Sequence, residues 1–232
     1  HKIVILAALA FKSLVKFKDI KNISGITKVS KYDIKMAREM GYEIKLIAST
    51  EFNGDFLDIR VGPCLVNEHH PLSSVEGVYN AVFIEGFPVG KTMFYGRGAG
   101  GDPTSSAVIS DILMCASECV IGGAKQHAFY EFMDHKEIPS SHKNPSKSRF
   151  YMKIWAQDCP GVLAKIAGVL GRHNISIASV IQKTFKENDY VPVYITTHHA
   201  REWDLMQAIK EMKKIKQDVG VRDTPFTMRI ID

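Results

Sequence analysis

The chain of 232 residues, 45% hydrophobic and 24% charged, has the composition of a folded protein, with room for one large domain or two small ones. Its net charge of +5 comes from lysines scattered among acids rather than blocked, so the excess says little about nucleic acid. No apolar stretch is long enough to span a bilayer.

The chain opens on His1 and Lys2, followed by nine apolar residues, Ile3–Phe11. A signal-peptide core would begin with Met and be followed by a processing site. A buried helix entered part-way explains both the missing Met and the abrupt apolarity, so the expectation is a piece of a longer chain. Lys2 reads either as a lysine that reaches out to solvent or as one that serves in proton transfer. Ser30-Lys-Tyr-Asp33 forms a capping box, with Ile34, Ala37 and Met40 following at helical spacing. Gly41 supplies a left-handed stop. Tyr42–Ser49 is a predicted strand, Asn53-Gly54 a two-residue hairpin signal, and Leu57–Val61 the partner strand. Residues 78–85 and 90–95 form a second predicted hairpin across Gly86–Val89, so the first part is α+β with an antiparallel sheet.

A glycine-rich stretch, Tyr95–Ser106, then leads into the helical pattern Ala107–Met114. Gly96, Gly98, Gly100 and Gly101 let the backbone bend and approach a ligand without interference from Cβ. Asp102 is placed to cap the helix, with Pro103 in its first turn. Such a loop suits a phosphate or carboxylate, but it equally suits a tight strand-to-helix turn. It lacks the βαβ setting and downstream acid of a dinucleotide fingerprint.

Residues 135–148 are polar and hold two prolines, which marks a linker. Beyond it the pattern is regular. Phe150–Ala156 is a strand, and a helix opens at Pro160 with the stripe Val162, Leu163, Ile166, Ala167 and Leu170. Strands at 175–185 and 190–198 are joined by the turn Lys186–Asp189. A second helix, Arg201–Ile215, turns Leu205, Ile209 and Met212 inward, and Phe226–Ile231 closes the unit. The order βαββαβ is ferredoxin-like. In such a unit Asp158–Leu163 and Asn174–Ser176 are expected near each other. The N–H groups of Gly161 and Val162 would meet an amino acid's carboxylate, and Asp158 or Asn174 its polar groups. By itself, however, Asp158-Cys-Pro is also an ordinary helix start.

The four cysteines (Cys64, Cys115, Cys119, Cys159) show no CxxC pair and read as reduced, buried thiols of a cytosolic protein. His69-His70 and His198-His199 lack a third ligand at recognisable spacing, so no metal site is expected.

Taken together, these stretches resemble the bacterial, ACT-containing homoserine dehydrogenase family. The matching residues are His1–Phe11, Gly25–Thr27 with Asp33-Ile34, Gly41–Leu46, His70–Leu72, Gly77–Phe83, and Phe94–Gly101 with Pro103-Thr104. In the second part, Asp158–Leu163 and Ile177–Lys183 resemble an ACT signature. The resemblance implies an α+β chain. Residues 1–134 would be a catalytic and dimerisation domain truncated at its N-terminus, 135–148 a linker, and 149–232 an ACT regulatory domain.

The resemblance also implies NAD- or NADP-dependent interconversion of L-homoserine and L-aspartate 4-semialdehyde, in threonine, methionine and isoleucine biosynthesis. Lys2 matches the family's catalytic lysine, while the aspartate expected before it would lie ahead of His1. Gly96, Gly98, Ala99 and Gly100 match the contact with the cofactor's nicotinamide half, Gly100 best. Asp158, Gly161, Val162, Asn174 and Ile175 would line an effector site for an amino acid, commonly threonine, and Cys159 fills a variable place. Further implications are a cytoplasmic homodimer or homotetramer that binds neither nucleic acid nor membrane. The family's nucleotide domain would precede this chain, leaving the piece inactive alone. The alternatives are a non-catalytic dimeric amino-acid-binding module, or an unrelated α+β ligand-binding protein in which both glycine loops are turns.

Overall fold

The computed structural model describes residues 1–12, 15–20, 22–52, 57–121, 146–183, 187 and 189–232. In chain order the elements of the first part are α1 (Lys2–Phe11), β1 (Asn22–Ile23), α2 (Lys31–Glu39), β2 (Tyr42–Phe52), β3 (Leu57–Asn67), β4 (Tyr79–Gly86), β5 (Gly90–Arg97) and α3 (Gly101–Ile121). The second part holds β6 (Lys147–Gln157), α4 (Val162–Arg172), β7 (Ile177–Gln182), β8 (Tyr190–Thr197), β9 (Ala200–Arg201), α5 (Glu202–Lys214), α6 (Lys216–Val219) and β10 (Phe226–Ile231).

The capping box forms as the sequence implies. Asp33 N–H donates to Ser30 Oγ at 3.3 Å, and Ser30 N–H donates to Asp33 Oδ2 at 2.9 Å. Gly41 follows the helix at φ +80, where any Cβ would be strained. The buried face of α2 differs from the expected one: Asp33, Met36 and Ala37 are buried, while Ile34 is exposed. Asp33 takes an inward position because partners from the second part satisfy it.

β2 and β3 pair in antiparallel register from Tyr42↔Asn67 to Phe52↔Leu57. The strands are longer than predicted, because β3 continues through Gly62 and Pro63 to Asn67. The expected Asn53-Gly54 turn lies outside the described residues. The second hairpin forms as expected, Tyr79↔Arg97 to Gly86↔Gly90.

The second part has the βαββαβ order, with strands arranged β10-β6-β8-β7. β6 starts at Lys147, inside the stretch expected to be linker, where Lys147 and Ser148 pair with β9. Residues 135–145 lie outside the described ones, as do Lys186 and Asn188 of the expected turn. α4 starts two residues later than predicted. Gly161, at φ +87, occupies its N-cap, and Pro160 precedes the helix. Val162, Ile166, Val169 and Leu170 form the buried stripe, with Val169 in the place expected for Leu163. α5 buries Leu205, Ala208 and Met212.

Sequence periodicity did not reveal that the two parts share one sheet. β3 pairs with β2 along one edge. On its other edge it pairs in parallel with β1 and then, from Cys64 to Val66, with Arg229–Ile231 of β10. β7 of the second part and β2 of the first are therefore the outer strands of a single eight-stranded sheet.

Each face of the second part's sheet has its own core. Phe150, Met152, Ile154 and Ala156 of β6 point toward α4 and α5, with Ile166, Leu170, Leu205 and Met212 among their neighbours. Tyr151, Tyr194, Met228 and Ile230 point the other way, against Met36 and Ala37 of α2 and Leu65 of β3. α1 lies apart, burying Ile3 and Ala7 against Ile20, Leu57 and Ile59.

Candidate functional site

A hollow lies where β6 ends and α4 begins. Ala156, Gln157, Asp158, Cys159 and Pro160 form one wall, Val162, Leu163 and Ile166 another, and Gln182 of β7 and Val193 of β8 complete it. Its volume of about 330 Å³ sits at the small end of the range for ligand sites. Local sequence explains the opening. Pro160 cannot continue the strand, and Gly161 at φ +87 turns the chain sharply, so α4 starts without a side-chain cap. The first turn of α4, with Val162 and Leu163, therefore borders the hollow, a setting suited to a carboxylate.

The polar side of the hollow carries Asp158, Gln157 and Gln182. Gln182 Nε2 donates to Asp158 Oδ1 at 3.4 Å across the opening. The opposite side is aliphatic. Leu163 leaves the core stripe and stays 41% exposed because it borders this hollow. Behind it, Gln157 N–H donates to Gly220 O at 2.8 Å. A Cβ on Gly220 (φ +74) would stand 3.0 Å from Val162 Cγ2, so only glycine lets the α6–β10 turn close on this wall without strain.

The predicted effector residues are only partly brought together. Asp158 and Val162 line the hollow, and Gly161 lies between them in the turn. Asn174 and Ile175 do not join them within one chain, contrary to expectation. They follow α4 at its far end, and eleven helical residues span about 16 Å. Asn174 sits in a left-handed turn at φ +57, and Ile175 is core at 3% exposure. The first strand-to-helix turn and the start of the next strand lie at opposite ends of the intervening helix. Gln182 was not singled out as a site residue. Its position on β7 beside the first turn is visible only once the strand order is known.

The glycine-rich stretch forms an exposed ledge. Gly96 is part of β5 and pairs with Asn80. Gly98 N–H donates to Val78 O at 2.9 Å, and the Asn80 side chain packs so closely that a Cβ on Gly98 would force it to move. Gly100, at φ +127, is the last residue before α3. The helix starts at Gly101, so Asp102 and Pro103 lie in its first turn and Asp102 does not cap it as expected. Thr104 Oγ1 instead donates to Gly100 O at 2.7 Å, which ties the ledge to the helix.

Lys2 stands exposed in the first turn of α1, next to His1, whose ring stacks on Phe17 at 4.4 Å. Its apolar helix does not enclose it in this chain. His70 has a structural role: its Nδ1 accepts from Leu72 N–H at 3.1 Å and its ring packs against Phe83. Cys64 is buried, and burial pushes its thiol up to about 11, which removes it as a nucleophile near neutrality. Cys115, Cys119 and Cys159 are exposed, which corrects the expectation that all four are buried. Among the described residues no group of three His, Cys, Asp or Glu side chains is placed to hold a metal, and no helix is long and apolar enough to cross a membrane.

The fold thus defines a two-part α+β chain, a ferredoxin-like unit with a ligand-sized hollow joined through a common sheet to a second unit. The chain is similar to the homoserine dehydrogenase family: residues 1–113 match the family model for homoserine dehydrogenase, and residues 151–217 match the ACT domain. It is 34% identical over 230 residues to the homoserine dehydrogenase of Helicobacter pylori, covering 99% of this chain and 52% of the relative. It is also 34% identical over 237 residues to that of Synechocystis sp., covering 99% and 53%. A solved homoserine dehydrogenase from Thiobacillus denitrificans superposes with a TM-score of 0.86 at 28% identity, over 100% of this chain and 52% of that one. The chain spans about half the length of the curated relatives it matches.

Proposed function

We propose that this chain serves in NAD- or NADP-dependent interconversion of L-homoserine and L-aspartate 4-semialdehyde, with its ACT unit sensing an amino acid, threonine first among the candidates. The observation that carries the reading is the continuous match: relatives named homoserine dehydrogenase align along 99% of the chain, across both units.

Lys2 is the proposed proton relay. Its exposed side chain in the first turn of α1 is open to an incoming alcohol. Gly96, Gly98, Ala99 and Gly100 offer an exposed backbone ledge that fits contact with the cofactor's nicotinamide half, and Asn80 pinned against Gly98 keeps that ledge in place. When bound, the oxidised nicotinamide would supply the acceptor for the hydride that leaves the carbon bearing the alcohol. Lys2, entering the step as the neutral amine, would take up the hydroxyl proton to become the ammonium, and would return that proton in the reverse direction.

In the ACT unit, the start of α4 would hold a ligand's carboxylate, Asp158 its ammonium group, and Leu163, Ile166 and Val193 its side chain. Asn174, about a helix length away, would reach a ligand only from a second copy. Self-association into a homodimer or homotetramer is part of the proposal. Its support is the apolar surface of the second hairpin and α3, where Phe94, Ile109, Ile112 and Leu113 are each more than half exposed. The proposed setting of the chain is the cytoplasm.

Two measurements test the reading. The chain is fused behind the part of the Helicobacter pylori relative that it does not cover, and homoserine-dependent reduction of NAD or NADP is followed. Lys2→Ala is expected to abolish turnover while leaving folding intact; near-normal turnover would remove Lys2 from the mechanism. Titration calorimetry of the chain with L-threonine is expected to give binding heat that Asp158→Ala eliminates. Silence at millimolar threonine rejects threonine as the effector.

A further inference from the structure

Helix α2 belongs to the first unit, yet both of its carboxylates, Asp33 and Glu39, are met by donors of the second. Asp33 is completely buried, and both its oxygens are engaged. Oδ1 accepts from Tyr151 OH at 2.9 Å, while Oδ2 receives Lys153 Nζ at 2.5 Å and Ser30 N–H at 2.9 Å. Lys153 Nζ also reaches Ser30 Oγ at 3.2 Å and lies 5.3 Å above the Phe226 ring. Burial, followed by the Asp33 charge, pushes the Tyr151 hydroxyl far above the ordinary phenol range, so it stays a donor. At the other end of α2, Glu39 accepts from Lys183 Nζ at 2.6 Å.

These partners lie on the two strands that frame the hollow. Tyr151 and Lys153 are on β6, whose last residues, Ala156 and Gln157, form its wall. Lys183 directly follows Gln182, which lines the hollow and bonds Asp158. Helix α2 therefore crosses the sheet face opposite α4 and α5, tied at its start to β6 and at its end to β7. A buried carboxylate cannot lose its donors without a large penalty, so α2 must follow any displacement of β6. Its own C-terminus runs through Gly41 into β2, and the N–H of Glu68, the residue directly after β3, donates to Gly41 O at 3.0 Å. Motion of α2 thus reaches the first unit's sheet directly.

Resting on the proposed amino-acid site, we infer that α2 transmits its occupancy. A ligand that rearranges Gln157–Pro160 and Gln182 changes the relation of β6 to β7, and α2 carries that change into the first unit through Asp33–Tyr151–Lys153 and Glu39–Lys183. The coupling is reciprocal, so loosening the ties changes ligand affinity in turn.

The test is hydrogen exchange on the full chain, with and without saturating L-threonine, alongside calorimetry of the same samples. Amides of residues 31–40 are expected to change exchange rate on the order of five-fold when threonine binds. In Tyr151→Phe and, separately, in Glu39→Gln, threonine still binds, but the change in 31–40 shrinks. Glu39→Gln is an exposed substitution that leaves the fold intact if Tyr151→Phe does not. Binding heat with unchanged exchange in 31–40 overturns the inference and leaves the site standing, and so does a full-sized change in both variants. No heat with threonine or any other protein amino acid removes the site and the inference with it.

Discussion

The second unit and the hairpin–α3 arm of the first are built on opposite terms. In the second unit every sheet strand has a covered face: α4 and α5 enclose one side, and α2 covers much of the other. In the arm, β4, β5 and α3 bury no side chain among the described residues, although α3 carries Val108, Ile109, Ile112, Leu113 and Met114. Apolar content alone therefore does not predict a core. What separates the two regions is whether the same chain supplies a second layer. The ACT unit closes on itself, whereas the arm presents its apolar side chains to something else, in keeping with its proposed role in cofactor contact and self-association.

The contrast is most exposed to refutation at the buried pair between the units. Lys153→Met leaves Asp33 buried without its counter-charge and is expected to cost about 3–5 kcal/mol in denaturant unfolding. A loss under about 1 kcal/mol would mean that water reaches Asp33 and that the face under α2 is not sealed. Somewhat smaller is the cost expected at the opposite face. Leu170, fully buried between the sheet and α5, should lose about 2–5 kcal/mol on conversion to alanine, as large-to-small changes in a tight core do. A second readout sharpens the comparison. If the units unfold together, as their common sheet demands, loss of ellipticity and loss of Trp155 fluorescence follow one transition in both variants.

How much of this was legible in the sequence follows the range of the interactions. The capping box, the second hairpin and the βαββαβ order depend on residues close together in the chain, and their turn signals and periodicities foretold them. The start of α4 was misplaced because Pro160 suits a first helical turn, yet Gly161 in a left-handed conformation ends the strand more sharply. The burial of Asp33 was hidden for another reason. Its donors lie 118 and 120 residues away, and no local pattern marks a carboxylate that will meet a distant lysine. The β3–β10 pairing, which joins the units, is equally remote and could not be read from alternation. Within the candidate site, the local turn at Asp158–Val162 was legible. Gln182 and the separation of Asn174 were not, because both depend on which strands become neighbours.

The smallest expected effect falls on the arm and bears most directly on what the arm is for. Ile112 is 60% exposed on α3, so Ile112→Ser removes almost no buried area and should change unfolding free energy by no more than about 0.5 kcal/mol at low micromolar concentration. The same variant should weaken self-association in sedimentation velocity, because a hydroxymethyl group in place of a butyl chain forfeits apolar contact across an interface. The two readouts separate the possibilities. A stability loss of 2 kcal/mol or more that does not depend on concentration would place Ile112 in a core of this chain and dissolve the contrast. A loss that grows with protein concentration assigns the covering layer to a second copy, because only an associated state gains stability by mass action.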